Sequence, residues 1–153
     1  MIRNKYFRSK LINKLCFGTA NLTNNYGILK KKNKFSSKKI KEIFYVLGKN
    51  KIANIDTAIS YKNVEKKIGQ LDLKKFKIFT KLPKLPKKCT DINKWSLKNI
   101  NHSLNSLNTK SLSGVLIHHS EDLIGKNKKK LYQALLFLKK KKLVNKIGVS
   151  IYN

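Results

Sequence analysis

The feature that most constrains this chain is an alternation of short apolar runs with helix-length segments, in which the runs stop on polar residues able to do chemistry. Ile52-Ala53-Asn54-Ile55 ends at Asp56, Phe76-Lys77-Ile78-Phe79-Thr80 at Lys81, Val115-Leu116-Ile117 at His118, and Ile147-Gly148-Val149 at Ser150. Strand followed by helix, repeated, is the signature of a parallel α/β sheet with right-handed crossovers. In such sheets the carboxyl ends of the strands form the rim where active sites are built. A succession of chemically competent strand ends therefore points to an enzyme built on a barrel.

The segments between the runs support that order. Leu15-Cys16-Phe17-Gly18-Thr19-Ala20 reads as a first strand ending in small residues, followed by a loop through Tyr26-Gly27. Ser36 and Ser37 are N-cap candidates for a helix whose Ile40, Ile43, Phe44 and Leu47 share one face, with Gly48 at its end. A strand to Asp56 precedes a short helix over about 63–71, and a third strand covers 76–81. A loop holding Pro83 and Pro86 leads to a helix over about 91–107. A strand at 114–118, a helix at about 127–141 and a short strand at 146–150 complete the pattern.

Residues 1–153 read as a single domain, long enough to bury a substantial core. Five strands and four helices cannot close a (β/α) barrel, which needs about 200 residues or more. The alternative is an open doubly wound sheet, complete at this size but usually carrying a glycine-rich phosphate loop after its first strand. Gly18-Thr19-Ala20 is not such a loop, and no P-loop pattern occurs. The chain is therefore expected to be the front portion of a barrel, with first and fifth strands left as unpaired edges through which copies could self-associate.

The 36 Lys+Arg against 7 Asp+Glu give a formal net charge of +29, which matches either a polyanion binder or drift in an A/T-rich genome. Only Arg3 and Arg8 are arginine, and the lysines scatter over many helical faces, as in Lys30-Lys31-Lys32, Lys128-Lys129-Lys130 and Lys139 to Lys142. Nucleic-acid recognition favours arginine and aromatic platforms, so drift is preferred and no specific nucleic-acid partner is expected. A non-enzymatic basic nucleic-acid-binding protein stays as the alternative function. No run approaches the roughly 18 apolar residues of a membrane span, and the basic start from Met1 to Arg8 lacks a signal-peptide core. A cytoplasmic location without membrane partners is the expectation. Cys16 and Cys89 have no metal-ligand or disulfide spacing and are expected to be buried or inert thiols, so no metal site is indicated.

Phe17-Gly18-Thr19-Ala20 with Tyr26-Gly27-Ile28, then Asn54-Ile55-Asp56-Thr57-Ala58-Ile59-Ser60-Tyr61, Thr80-Lys81-Leu82, Leu116-Ile117-His118-His119 and Ile147-Gly148-Val149-Ser150 together resemble the aldo-keto reductase family. The likeness runs over about 15–152 in the family's order, and its most specific piece is I-D-T-A-x-x-Y with Asn63, Glu65 and Gly69 downstream. The opening is similar to a branch found in sugar and surface-polysaccharide pathways. The resemblance implies a (β/α)8 TIM barrel, here cut to about its first five strands and four helices. It also implies reduction of an aldehyde or ketone substrate with NADPH, or NADH.

Carbonyl reduction needs a hydride for carbon and a proton for the developing alkoxide. A tyrosine, with an ordinary pKa near ~10, can give that proton if a nearby cation eases its ionisation. The resemblance makes Tyr61 that acid, Lys81 the cation, Asp56 its partner, and His118 the group that hydrogen-bonds the substrate oxygen. It puts Ser150 on the nicotinamide amide and Gly18 and Thr19 beside the nicotinamide, with Asp56 also at the cofactor. Taken singly, Asp56 is equally a turn former, Tyr61 packing, Lys81 one lysine of many, and His118 a satisfied strand-end histidine; the joint order carries the reading. The chain departs from the family pattern at Lys62, where glycine is frequent, at Val64, where a small polar residue is frequent, and at Ile151, where many members have asparagine. Family residues that bind the adenosine phosphates lie on later strands, so only part of a cofactor site is expected.

Overall fold

The computed structural model describes residues 11–22 and 35–151. Tyr26-Gly27-Ile28 and the basic start of the chain lie outside them. Within the described residues five strands form one sheet: β1 Cys16–Gly18, β2 Asn54–Asp56, β3 Lys77–Leu82, β4 Leu112–Ile117 and β5 Val144–Val149. The α-helices are α1 Ser37–Lys49, α2 Val64–Ile68, α3 Ile92–Ser106 and α4 Lys128–Lys140, and short 3₁₀ turns span Ala20–Leu22 and Ser120–Leu123.

The strand order is β1-β2-β3-β4-β5 and every pair is parallel. That order bears out the barrel portion expected from the sequence over the doubly wound alternative. A doubly wound sheet reverses direction at a switch point, whereas a strictly sequential order with right-handed crossovers puts all the connecting helices on one face. The sheet is thus an arc of a (β/α) barrel, and among the described residues β1 and β5 each pair on one side only.

Burial follows the two faces. Ile55 on β2, Ile78, Thr80 and Leu82 on β3, and Val115 and Ile117 on β4 are buried against the helices. In the registered rows between them, Asn54, Asp56, Phe79 and Leu116 are half-buried, and Cys16, Lys77 and Lys146 are exposed. Lys81 belongs to this second, concave face yet is buried, because neighbouring residues close over it.

The helices form where their apolar spacing and caps require. Ser36, not Ser37, caps α1, accepting a hydrogen bond from Lys39 N–H at 3.2 Å, and Asp91 caps α3 through Lys94 N–H at 2.8 Å. Ile40, Phe44 and Leu47 on α1, and Leu131, Leu135 and Leu138 on α4, are buried as their spacing predicts. Helices α1, α3 and α4 end alike. Lys51, Asn108 and Lys142 take positive φ (60°, 50° and 57°), and the next N–H in each case bonds back to Leu47, Leu104 or Leu138. This is the Schellman closure, which glycine fills most readily. Gly48 therefore sits inside the last turn of α1 and not at its left-handed end.

Some bounds differ from expectation. β4 and β5 begin two residues earlier than read, at Leu112 and Val144, and β3 runs one residue past Lys81, to Leu82. α2 is shorter than read because Gly69 lies against the end of α3, where a methyl would collide with the Ser106 carbonyl and Leu107 backbone. Of the two alternatives for Cys16, a buried or an inert thiol, burial is excluded, since β1 places it exposed on the concave face. Among the described residues, no helix is long and apolar enough to cross a membrane.

Candidate active site

All the strand-end residues come to one rim. Gly18 closes β1 and Asp56 closes β2, and the two are paired in register. Lys81 is the penultimate residue of β3, His118 follows β4, and Ser150 follows β5. Backbone bonds extend the ladder past the strands: Thr57 N–H to Phe79 O at 2.8 Å, Thr19 N–H to Asp56 O at 2.9 Å, and Ser150 N–H to Ile117 O at 2.8 Å. These bonds fix the bases of the site side chains before the loops begin.

At the centre is Lys81. Its Nζ lies 2.6 Å from each Asp56 carboxylate oxygen, 3.0 Å from the Thr57 carbonyl and 3.5 Å from the Tyr61 hydroxyl. The residue is only 4% exposed, so its ammonium would be costly without compensation. Asp56 supplies the opposite charge and the Thr57 carbonyl a further acceptor, the combination a buried ion pair requires. Nζ also stands 5.2 Å from the centroid of the Tyr61 ring.

Tyr61 reaches this cation from the loop after β2. Ile59 N–H bonds to the Lys81 carbonyl at 3.3 Å, and Tyr61 N–H turns back to Ala58 O at 2.9 Å. The ring is buried, and Lys62 beside it has φ of 28°. That left-handed backbone is the physical reason glycine is frequent at this position in the family pattern.

His118 packs edge-on to Tyr61, with ring centroids 5.8 Å apart, and its Nδ1 lies 3.2 Å from Ser60 Oγ. Burial pushes its pKa below the ordinary 6.5, the Lys81 ammonium and His119 push the same way, and Asp56 opposes them. The imidazole is therefore neutral at neutral pH. His119 stacks beside it at 5.2 Å.

The cofactor candidates divide. Thr19 is fully buried, and both its N–H and its hydroxyl (3.0 Å) are donated to the Asp56 carbonyl, so it acts by fixing the base of Asp56. At Gly18 an added Cβ would meet nothing within 4 Å, which leaves open space beside Asp56. Ser150 is tied to the rim through its backbone, with its side chain half-buried there. Cys16 lies close enough to feel the same charges. Although the residue is exposed as a whole, its thiol pKa is raised, first by partial desolvation beside neighbouring residues and then by Asp56, against a lowering by Lys81, so it stays protonated and unreactive near neutrality.

A second polar cluster lies beneath the site. Glu65 on α2 is 5% exposed, and its Oε1 accepts hydrogen bonds from Thr80 Oγ1 at 2.6 Å and Ser103 Oγ at 2.9 Å. It ties α2 to β3, immediately beside Lys81, and to α3. The sequence motif included Glu65 and Ser60 without giving either a role. The signal was Thr80: alternation on β3 sends it to the helix side when Lys81 faces the rim, so a buried hydroxyl there calls for a polar partner.

The chain matches the aldo/keto reductase family over residues 14–153. No curated protein sequence matches it. Among solved structures it is similar to PA4992 of Pseudomonas aeruginosa, with 22% identity and a TM-score of 0.73, covering 88% of this chain and 54% of that one. It is also similar to the holo form of aldo-keto reductase AKR11C1 from Bacillus halodurans, with 19% identity and a TM-score of 0.66, covering 89% and 45%. A further match is the aldo/keto reductase of Brucella melitensis, with 23% identity and a TM-score of 0.62, covering 92% and 50%. The chain thus spans about half the length of these solved relatives. The five-stranded parallel arc is that family's barrel fold in part, and this chain belongs to the aldo/keto reductase family.

Proposed function

We propose that the chain reduces the carbonyl of an aldehyde or ketone, with Tyr61 as general acid and NADPH, or NADH, as the hydride source. The observation that carries this reading is the Asp56–Lys81–Tyr61 chain of contacts at 2.6 and 3.5 Å, closed on its open side by His118. The open space at Gly18, paired with Asp56, leaves room for a ring to approach, and Ser150 stands at the same rim as a candidate partner for its amide. A nicotinamide cofactor held there by Gly18, Asp56 and Ser150 would supply the hydride for the carbonyl carbon.

The chain's own residues handle the oxygen. Tyr61 Oη gives its proton to the oxygen as negative charge grows on it, and the Lys81 ammonium stabilises the phenolate left behind. Asp56 holds Lys81 in place through both carboxylate oxygens. Neutral His118 donates a hydrogen bond to the same oxygen, acting where charge develops. Thr19 has no contact with the reacting atoms in this scheme and fixes the Asp56 backbone.

General acid catalysis is worth on the order of 10²–10⁴ in rate. Tyr61→Phe should therefore cut NAD(P)H oxidation against an aldehyde panel by about a hundredfold or more, with circular dichroism showing an intact fold. Lys81→Met should do likewise, since the phenolate loses its counter-charge. Turnover that survives Tyr61→Phe would remove Tyr61 from the reaction.

A further inference from the structure

The contact between Ser60 and His118 has a consequence for which nitrogen carries the histidine proton. A neutral imidazole holds one proton, so the partner of one nitrogen determines what the other presents. If Ser60 accepted from Nδ1–H, Nε2 would present a lone pair and repel an oxygen gaining negative charge. If the Ser60 hydroxyl donates to Nδ1, the proton resides on Nε2, which can then donate to that oxygen.

The 3.2 Å contact accommodates either neutral arrangement, and two features of the surroundings are compatible with the second. Ser60 Oγ bonds to no other group among the described residues, so its O–H is free to turn toward Nδ1. The Lys81 ammonium nearby disfavours a doubly protonated ring, which would oblige Ser60 to accept. The loop holding Ser60 is anchored to β3 by Ile59 N–H on the Lys81 carbonyl and is turned by Tyr61 N–H on Ala58 O. One short loop thus sets both Tyr61 and the partner of His118.

We infer that the Ser60 hydroxyl donates to Nδ1 of His118 and holds that histidine as its Nε2–H tautomer, which makes Ser60 a positioning residue for the substrate oxygen. The choice of tautomer and its catalytic side both rest on the carbonyl-reduction reading above, and the spectrum below tests the tautomer without turnover.

The test is a long-range ¹H–¹⁵N correlation spectrum of the ¹⁵N-labelled chain, recorded above the His118 titration. The chain has 3 histidines, and the His118 signals are identified by their loss in His118→Gln. The expected wild-type pattern is a protonated Nε2 and an unprotonated Nδ1. Ser60→Ala should shift both nitrogens toward the values of a mixed-tautomer ring, and Ser60→Thr should restore the wild-type pattern. A protonated Nδ1 in the wild type, or identical spectra for wild type and Ser60→Ala, would overturn the assignment.

In turnover, Ser60→Ala should lower kcat about fivefold, the equivalent of one neutral hydrogen bond, with KM nearly unchanged. A shifted tautomer with unaltered kcat would overturn the positioning role. The expected spectra without any carbonyl reduction would support the tautomer assignment and refute the reductase reading alone.

Discussion

Glu65 offers a perturbation whose size and pH dependence both follow from its surroundings. Its Oε1 takes two hydrogen bonds, from Thr80 and Ser103, and both donors are fully buried. Glu65→Ala removes both bonds to a charged acceptor and strands two hydroxyls away from water. Each unpaired buried hydroxyl costs about 1–3 kcal/mol, so with two of them the variant should lose roughly 2–6 kcal/mol. That is a large part of the ~5–15 kcal/mol typical of a domain. Glu65→Gln keeps the acceptor oxygen and should stay within about 1 kcal/mol of wild type at neutral pH.

The two variants also separate packing from charge. Burial pushes the Glu65 pKa above its ordinary 4.5, against lowering by the Thr80 and Ser103 hydrogen bonds and by His102. The folded state therefore binds this proton more tightly than the unfolded state does. The stability Glu65 contributes is full below pH 4.5 and is lost as pH rises through its folded pKa. Urea unfolding followed by circular dichroism, across the pH range from mildly acidic to neutral, should show wild type declining relative to Glu65→Gln. A wild type that instead gains on Glu65→Gln as pH rises, or a Glu65→Ala cost under about 1 kcal/mol, would refute the account of this cluster.

Gly69→Ala should destabilise by about 3 kcal/mol in the same unfolding assay, because the methyl meets Ser106 and Leu107 backbone, which cannot yield as a flexible side chain would; a neutral result would show that α2 and α3 can separate. Lys51→Gly and Lys142→Gly should each stabilise by up to about 1 kcal/mol, since both residues hold left-handed helix ends, and a loss of stability in either would contradict that geometry. His118 should titrate below 6.5 by NMR, and Lys81→Met should move the midpoint upward by removing a cation beside it; a midpoint unmoved by that change would contradict the Lys81 contribution and leave burial and His119 as the lowering causes.

Much of the site was legible because its residues sit where strand periodicity breaks. Asp56, Lys81, His118 and Ser150 each end an apolar run, and hydrogen-bonded extensions past the strands bring those ends to one rim. Strand order was not legible. Periodicity tells a strand from a helix but says nothing of which strand lies beside which, so the barrel arc was expected from the missing glycine-rich loop after the first strand, and the pairing itself came from the structure. Nor could the sequence mark Lys81 as buried among 36 basic residues, since burial here depends on Asp56 and Tyr61 arriving from another strand and loop. The Glu65–Thr80–Ser103 cluster escaped for a similar reason: it joins α2, β3 and α3, residues as far as 38 apart in the chain.

The most direct test of the central claim is transfer of deuterium from a nicotinamide-deuterated NADPH to an aldehyde, read by mass spectrometry of the alcohol. The chain's Asp56–Lys81–Tyr61–His118 cluster predicts labelled alcohol with the wild type and almost none with Tyr61→Phe. Unlabelled product, or equal label from wild type and Tyr61→Phe, would contradict it.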